Sequence, residues 1–503
     1  MLQLRQVLQE PTLGEMRDAL ESLPSDLREA YDITLQRIRK LPTGWSRIGM
    51  STLLWVSQAQ RPLRMPELVE ALAVREGSAK LYKDYSPSEE RVIEACVGLI
   101  SVNKGSTEVH FIHKTVQEHL CERPGDLSAA RLGDVCLIYL LCDDFKTGPC
   151  DDLSLLGTRF EQHPFFEYSS RFWSKHFEGA DEKGALLEVF LDSPSNLQAA
   201  LQSSIFLQGY RKEYWGAVET RSTTPLHTAC RLGFVANMKR LLRDGADVNA
   251  TTKIVNHCPI HHASAKPDIT FLEHLLEYKA DMYRCNWYGT PIHNAAEAGN
   301  RKHVLLLLSR GVPIDTIETR LGRTALHCAV QEQRWSVISL LIEHGADPNA
   351  RDFQGRSSLH YLHYTDEDKI VRTVASHRKT EHGTYKWLRQ DIEQETCTSA
   401  ESTRLLSHER LDLNAQDSDG DTPLHKAVRH RDIIMCTLLI FHDADSSVRN
   451  TKDQRAEDLV PPDERNFLRS FLRDPLASYE MRERMRTFGD WKMPFFYETQ
   501  WVR

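Results

Sequence analysis

Nowhere in these 503 residues is there an apolar run long enough to cross a bilayer. The first residues, "MLQLRQVLQEPTLGEMRDAL", place charges and a proline where a signal peptide needs an apolar stretch, so a cytoplasmic protein is expected, with the nucleus also open. Eleven cysteines, an odd number, are scattered without a single C-x-x-C pair, which argues against a disulfide framework and against a zinc ribbon. There is no dense block of lysine and arginine, and the net charge is −8, so a phosphate backbone is not an expected partner. The catalytic signatures are missing too. No G-x-S-x-G elbow, H-E-x-x-H pair, glycine-rich dinucleotide loop or G-x-x-x-x-G-K-[ST] phosphate loop occurs. No enzyme activity, cofactor or metal is therefore expected. The acidic, cysteine-flanked stretch "CDDFKTGPCDD" reads as loop acids beside buried thiols.

What the chain does have is a repeat. "TPLHTACRLGFVANMKRLLRDGADVNA" begins at Thr224, "TPIHNAAEAGNRKHVLLLLSRGVPIDT" at Thr290, "TALHCAVQEQRWSVISLLIEHGADPNA" at Thr324 and "TPLHKAVRHRDIIMCTLLIFHDADSSV" at Thr422. The signature histidines are His227, His261, His293, His327, His360 and His425, with successive gaps of 34, 32, 34, 33 and 65. A period of about 33 residues with T-P-L-H at the head is the ankyrin pattern, a right-handed solenoid of helix pairs joined by β-hairpin loops. The physics of one copy accounts for its letters: Thr224 caps a helix, Pro225 sits where no N–H is needed, and Gly233 and Gly245 end helices with φ > 0. The 65-residue gap leaves two readings, a repeat between Asp366 and His408 that has lost its signature or one repeat with a long insertion. "DEDKIVRTVASH" looks like a second repeat helix and favours the degenerate repeat.

Upstream the pattern changes. "LREAYDITLQRIRKL", "STLLWVSQA" and "MPELVEALAV" have helical periodicity, "ERVIEACVGLI" is a helix running into "LISVN", and "KGST" turns the chain into "EVHFIH" before "KTVQEHL" resumes helix. Helices followed by a hairpin describe a winged helix. With "LPSDLREAYDITLQRI", "RPLRMPELVEALAV", "ACVGLI" and "VHFIHKTVQEHL", the chain resembles the segment after the nucleotide-binding core in fungal NACHT–ankyrin proteins of the signal-transducing (STAND) NTPase class. "LGDVCLIYLLCDDF" and "HPFFEYSSRFWSKHF" resemble the helical stretch that joins winged helix to repeats in that class. The resemblance implies that the nucleotide-binding core would precede residue 1. It also implies that His113 stands where a winged-helix histidine touches nucleotide phosphate in intact relatives, although Lys114 departs from the Asp seen in plant relatives. Without a phosphate loop, the plainer expectation for His113 is a hydrogen-bonded residue at a strand–helix junction.

The expected organisation is a winged-helix-like part (1–125), a helical connector (126–215), an ankyrin array (216–475) of six to eight repeats and an aromatic-rich tail (476–503), the whole being rich in α-helix. The tail reads as a hook on the last repeat or as a partner-binding peptide. The structural signature residues are Thr224, His227, His261, Thr290, His293, Thr324, His327, His360, Thr422 and His425. A protein partner is expected on the concave face, touching hairpin tips and first helices: Arg231, Asn286, Trp287, Glu297, Gln331, Glu332, Phe353, Gln354, Arg429 and His430, with Trp287 and Phe353 as anchors. The expected function is non-enzymatic, regulatory or recognition binding. The alternatives are the C-terminal portion of a nucleotide-switched receptor, and an adaptor in a metabolic pathway. "NHCPIHH" (256–262) imitates a zinc half-site. Aligned on the repeats, however, Cys258-Pro259-Ile260-His261 takes the place of T-P-L-H, which commits the His261 ring elsewhere and replaces a capping hydroxyl with a thiol.

Overall fold

A computed structural model describes residues 27–78, 80–122, 129–177, 184–209, 216–362, 410–430 and 432–460, with the single positions 12, 405 and 472. The chain divides into two compact units, 1–259 and 260–503. The aromatic tail and "DEDKIVRTVASH" lie outside the described residues.

The first unit opens with α1 (Leu27–Lys40), whose buried Tyr31, Leu35 and Ile38 recur at helical spacing. Its basic last turn, Arg37, Arg39 and Lys40, suits the negative end of the helix dipole. Then come α2 (Thr43–Gln58), α3 (Met65–Ala73) and α4 (Glu89–Ala95). α4 is shorter than the sequence suggests, because Val97 and Gly98 both take positive φ and turn the chain. Strands β1 (Ile100–Val102) and β2 (Val109–Phe111) pair antiparallel, Ser101 opposite His110. The chain ahead of α3 adds a third edge through an Arg64–Glu108 bridge and a Val109 N–H to Leu63 O bond of 2.9 Å. Helix α5 (Lys114–Cys121) completes a winged helix.

The helical connector consists of α6 (Ala129–Leu140), α7 (Leu153–Gln162), α8 (Pro164–Phe172), α9 (Ala185–Leu191) and α10 (Pro194–Leu207). It packs on the winged helix through aromatic rings. Trp55 of α2 meets Phe165 at 5.3 Å and Tyr168 at 5.6 Å, both edge-on. Polar bonds follow the rings: Tyr139 Oη donates to Glu70 at 2.7 Å and Gln60 N–H to Tyr168 Oη at 2.9 Å. At the head of α3, Glu67 is fully buried. It accepts Arg61 in a two-pronged contact at 2.8 Å, the Arg64 guanidinium at 2.7 Å and the Arg64 backbone N–H at 2.8 Å. Arg64 reaches on to Glu167 of α8 at 2.7 Å. Burial pushes the Glu67 carboxyl up, but the bonds from Arg61 and Arg64 outweigh it and hold the group below the ordinary range. After α11 (Ala217–Ser222), the first repeat, α12 (Pro225–Leu232) and α13 (Val235–Arg243), belongs to this unit.

Helix α14 (Pro259–Ala265) begins at the division. The second unit continues with α15 (Thr270–Glu277), α16 (Pro291–Ala298), α17 (Arg301–Ser309), α18 (Ala325–Gln331), α19 (Trp335–Glu343), a 3-10 turn (Ser358–Tyr361), α20 (Pro423–Arg429), α21 (Ile433–Phe441) and a last 3-10 turn (Ala456–Leu459). Among the described residues, each first helix buries its Leu or Ile and its Ala at the signature positions, as Ile292 and Ala295 do in α16.

The favoured reading of the 65-residue gap is corrected here. His360 Nε2 donates to Asp421 O at 3.0 Å, and Ser418 N–H donates to Gln354 O at 2.8 Å. Asp412 N–H reaches Asn349 Oδ1 at 2.8 Å, as Asp445 N–H reaches Asn414 Oδ1 one repeat later. The repeats headed by Ser357 and Thr422 are therefore consecutive. The bond from His360 to Asp421 leaves no place for a separate repeat between these two. Sequence comparison could not decide this, because an insertion and a degenerate repeat both add about one period.

Candidate partner-binding face

The signature residues form a hydrogen-bonded rung that recurs down the repeats. In the five headed by Thr or Ser, the histidine Nδ1 accepts the hydroxyl and the backbone N–H of the capping residue. The hydroxyl contact is 2.8 Å for Thr224–His227, 2.9 Å for Thr290–His293 and Thr324–His327, 3.0 Å for Ser357–His360 and 2.8 Å for Thr422–His425. With Nδ1 accepting, the proton must sit on Nε2, and Nε2 donates to a carbonyl of the following hairpin. His227 reaches His257 O at 3.0 Å, His261 reaches Arg284 O at 2.9 Å, His293 reaches Arg323 O at 2.9 Å, His327 reaches Arg356 O at 3.1 Å and His425 reaches Gln454 O at 3.0 Å. Burial drives His227 and His293 down to about 4 and lowers His327 and His360, which keeps these four rings neutral.

The hairpins have a rung of their own that sequence reasoning missed. A buried side-chain oxygen at the start of each hairpin ties down the backbone ahead of the next cap. Asn286 Oδ1 accepts the N–H of Tyr288 (2.6 Å) and Gly289 (2.9 Å), and the Glu318 carboxylate accepts Arg320 (2.6 Å) and Leu321 (2.8 Å). Asp352 Oδ1 accepts Gln354 and Arg356 (both 2.8 Å), Asp417 accepts Asp419 and Asp421 (both 2.9 Å), and Asn450 accepts Lys452 and Gln454 (both 3.0 Å). The available signal was an Asn, Asp or Glu set a few residues ahead of the Gly and cap, as in "NWYGT" and "DFQGRS". Asn286, expected among the exposed tips, is 3% exposed and holds its hairpin together, so it is not a docking residue.

From Leu321 onward, successive hairpins also bond to one another. Phe353 N–H donates to Leu321 O at 2.8 Å, Ser418 N–H to Gln354 O at 2.8 Å and Thr451 N–H to Asp419 O at 3.0 Å. Between Leu321 and Thr451 the row is a continuous rail rather than a set of independent loops. On it Phe353 remains 62% exposed although its ring lies over Gly322, where an added Cβ would come within 2.5 Å of the ring. Trp287 is 42% exposed at another tip. Gln354 is exposed beside Phe353.

On the inner helices, Glu297 and Glu332 are exposed at the ends of α16 and α18, and half-buried Gln331 accepts Arg323 Nη1 at 2.9 Å. Partial burial and then the Glu332 charge hold the Glu297 carboxyl above the usual range. Arg429 is exposed, but its guanidinium is tied to Asp421 at 3.0 Å; His430 is exposed beside it. Arg231, half-buried, lies on α12 of the first unit.

Two apparent chemical sites turn out to be scaffolding. In "NHCPIHH" the His261 ring serves its rung, and Cys258 Sγ lies 3.9 Å from Asn249 O as a weak donor. Asp417, Asp419 and Asp421 bring three carboxylates together, but Lys426 Nζ stands 2.8 Å from Asp417 and 3.2 Å from Asp421, and Arg429 adds a second cation. His113 caps α5: its Nδ1 accepts Thr115 N–H at 3.3 Å and meets Thr115 Oγ1 at 2.9 Å.

The comparisons with known proteins agree with this geometry. Family models for ankyrin repeats match residues 222–253, 260–352, 292–383 and 401–440, and the winged helix domain of GPI inositol-deacylase matches residues 14–130. The chain is similar to the Mus musculus B-cell lymphoma 3 protein homolog, 33% identical over 30% of this chain and 35% of that protein. It is 32% identical to the Gallus gallus nuclear factor NF-kappa-B p105 subunit over 27% of this chain and 14% of that one. It is also 28% identical to Canis lupus familiaris inversin over 41% of this chain and 17% of that one. The matched stretch thus spans about a third or less of these relatives. Among solved structures, the ankyrin repeat domain of human ASB11 matches with a TM-score of 0.38 at 22% identity, over 50% of this chain and 96% of that one. The fold class is an ankyrin-repeat solenoid preceded by a winged helix. The chain carries ankyrin repeats from residue 222 to 440.

Proposed function

We propose that this is a non-enzymatic ankyrin-repeat protein that holds a protein partner along the hairpin rail and inner helices, in a regulatory or recognition role. The observation that carries the reading is the rail itself. Its backbone is bonded hairpin to hairpin from Leu321 to Thr451, which fixes exposed Phe353, and the Asn286 side chain pins the hairpin that carries exposed Trp287, so both rings are presented without the entropic cost of ordering a loop on binding. Exposed aromatics on a pre-ordered surface are what interface anchors require. The test is affinity purification of the full chain from its native cell, with a Trp287→Ala, Phe353→Ala double variant in parallel. Loss of the recovered partner with an unchanged melting temperature is expected; an unchanged recovery overturns the reading.

A second reading is favoured by the winged-helix match over 14–130. In it, the first unit couples partner binding to a nucleotide-binding module of the NACHT type. The Arg61–Glu67–Arg64–Glu167 network supports it, because it welds winged helix to connector as a lever must be welded. A phosphate loop encoded in frame upstream of Met1 in the transcript would support this reading, and a stop codon there would remove it.

A further inference from the structure

The proposed face carries charge that the fold has not neutralised. Its buried-side cations are already matched. Arg323 Nε lies 3.4 Å from Glu318 and its Nη1 goes to Gln331, Arg356 sits 2.8 Å from Asp352, and Lys426 and Arg429 are held on Asp417 and Asp421. The carboxylates at the ends of two neighbouring inner helices are not so matched. The Glu297 carbonyl accepts Arg334 Nε at 2.8 Å while the Arg334 stem lies against Gly299; Arg323 and Arg334 act on the Glu297 carboxyl at longer range, and burial and Glu332 outweigh them. The Glu332 carboxylate takes a single long bond, 3.4 Å, from Gln331 Nε2. Burial and then the Glu332 charge raise the Glu297 carboxyl, and the hairpin foot at Arg323 reaches Gln331, next to Glu332, at 2.9 Å.

These two acids, which are not tied into close ion pairs, lie in the repeats headed by Thr290 and Thr324. Trp287 stands in the hairpin that leads into the first of these, and Phe353 lies over Gly322 in the hairpin that leads into the second. Further along the rail the corresponding tips are Ser418 and Thr451, which are polar, and the acids there are already paired. Apolar anchors and unspent negative charge therefore coincide in one stretch of the second unit. We propose that the partner segment seated there presents a lysine or arginine to Glu297 and Glu332, flanked by apolar side chains that cover Trp287 and Phe353. The occupant is thus a basic peptide with apolar anchors. An acidic segment would meet like charge at the two helix ends, and a purely apolar one would strip water from two carboxylates with nothing to replace it.

This proposal rests on the docking face described under Proposed function, and its test separates the two. A random-peptide display library is panned against the full chain, and the recovered peptides are measured by fluorescence anisotropy at low and at physiological salt. Basic peptides with Leu, Phe or Trp anchors are expected. Glu297→Gln with Glu332→Gln should weaken them roughly tenfold and flatten their salt dependence, and Trp287→Ala with Phe353→Ala should abolish binding. Circular dichroism melts of both double variants should match the parent. Neutral or acidic peptides that bind the Gln variant undiminished, yet are lost with the aromatic pair, overturn the charge assignment and leave the docking face standing. Peptides indifferent to all four substitutions, or an empty selection, overturn both.

Discussion

From α1 to α10 the polar groups that hold the fold find partners far along the chain: Arg61 meets Glu167 across 106 residues and Gln60 meets Tyr168 across 108. In the repeats the same task is done at short range and over and over, with His293 to Arg323 spanning 30 residues and His327 to Arg356 spanning 29. The first arrangement uses each contact once, so loss of one contact is felt throughout. The second is close to one-dimensional, and each rung supports mainly its neighbours. That is why the rung from His360 to Asp421 can span 61 residues and keep a length of 3.0 Å. Whatever the length of chain between them, the hairpins ahead of Ser357 and Thr422 stay bonded as neighbours.

The sharpest break of this contrast is Glu67→Ala. It leaves the Arg61 and Arg64 guanidiniums facing each other where a fully buried carboxylate held both. Removing one member of a buried ion cluster costs about 3 kcal/mol, and both arginines reach partly to solvent, so the loss should not exceed that by much. Urea unfolding followed by hydrogen exchange should show α3, α8 and the β-hairpin weakening together, while α16–α19 keep their protection. If protection fell in α3 alone, the long-range network would not be cooperative.

Acid should reverse the ranking. His293 is pushed down to about 4 from a reference value of 6.5, and His327 and His360 are lowered by the same burial. A depressed histidine means that the unfolded chain takes up protons the folded chain refuses. The stabilisation is complete above the unfolded pKa and is lost as pH falls from about 6.5 towards 4, by on the order of a few kcal/mol for each fully buried ring. Glu67 is also depressed, but from 4.5, so its contribution is lost only at lower pH. His176 adds one buried ring near 4 to the connector. Between pH 7 and 5 the exchange protection of α16–α19 should therefore fall more steeply than that of α1–α5. Equal slopes would mean that the rung histidines are not neutral in the fold.

A smaller and more local effect is expected from Gly420→Ala. Gly420 has φ +72°, and an added Cβ would lie 2.7 Å from Thr451 N, the atom that donates to Asp419 O and continues the rail. Left-handed strain in a non-glycine residue costs about 1–3 kcal/mol, here with a backbone contact added. Exchange should rise in the hairpins around 417–421 and 450–455 and stay unchanged in the hairpin at 286–290. A loss that spread evenly over the second unit would contradict the one-dimensional picture.

The same contrast explains what could be read from the letters. T-P-L-H at a fixed period needs no tertiary knowledge, because cap, helix start and ring partner all lie within four residues, and Pro225 and Gly233 mark the ends of the helix they enclose. The winged helix was legible from alternation in "EVHFIH" and periodicity in "LREAYDITLQRIRKL". Its attachment to the connector was not, since nothing near "RPLRMPEL" announces that Glu67 and Arg64 await a glutamate at 167. Asn286 failed for a related reason. An Asn at a hairpin reads as an exposed turn residue until the backbone N–H groups of Tyr288 and Gly289 are seen converging on its side chain. Phe353 was half legible, as an aromatic at a tip that both rests on Gly322 and stays open to a partner.

The finest test concerns Cys258, where one repeat departs from its siblings. Thr224, Thr290, Thr324, Ser357 and Thr422 each set a hydroxyl at the helix start, and in each case the hydroxyl oxygen meets the rung histidine at 3.0 Å or less. Cys258 sets a thiol there, buried, with its sulfur 3.9 Å from the Asn249 carbonyl. Sulfur is the poorer acceptor for backbone N–H and the poorer donor to an imidazole nitrogen. Cys258→Thr should therefore stabilise the helix Pro259–Ala265 by roughly 0.5–1 kcal/mol, the ordinary value of an N-cap hydroxyl. Partner binding at Trp287 and Phe353 should not change. The gain would appear as slower exchange in that helix and a small rise in melting temperature. A fall in stability would mean that the thiol fills its apolar site better than a hydroxyl can, and that this repeat has exchanged its cap for packing.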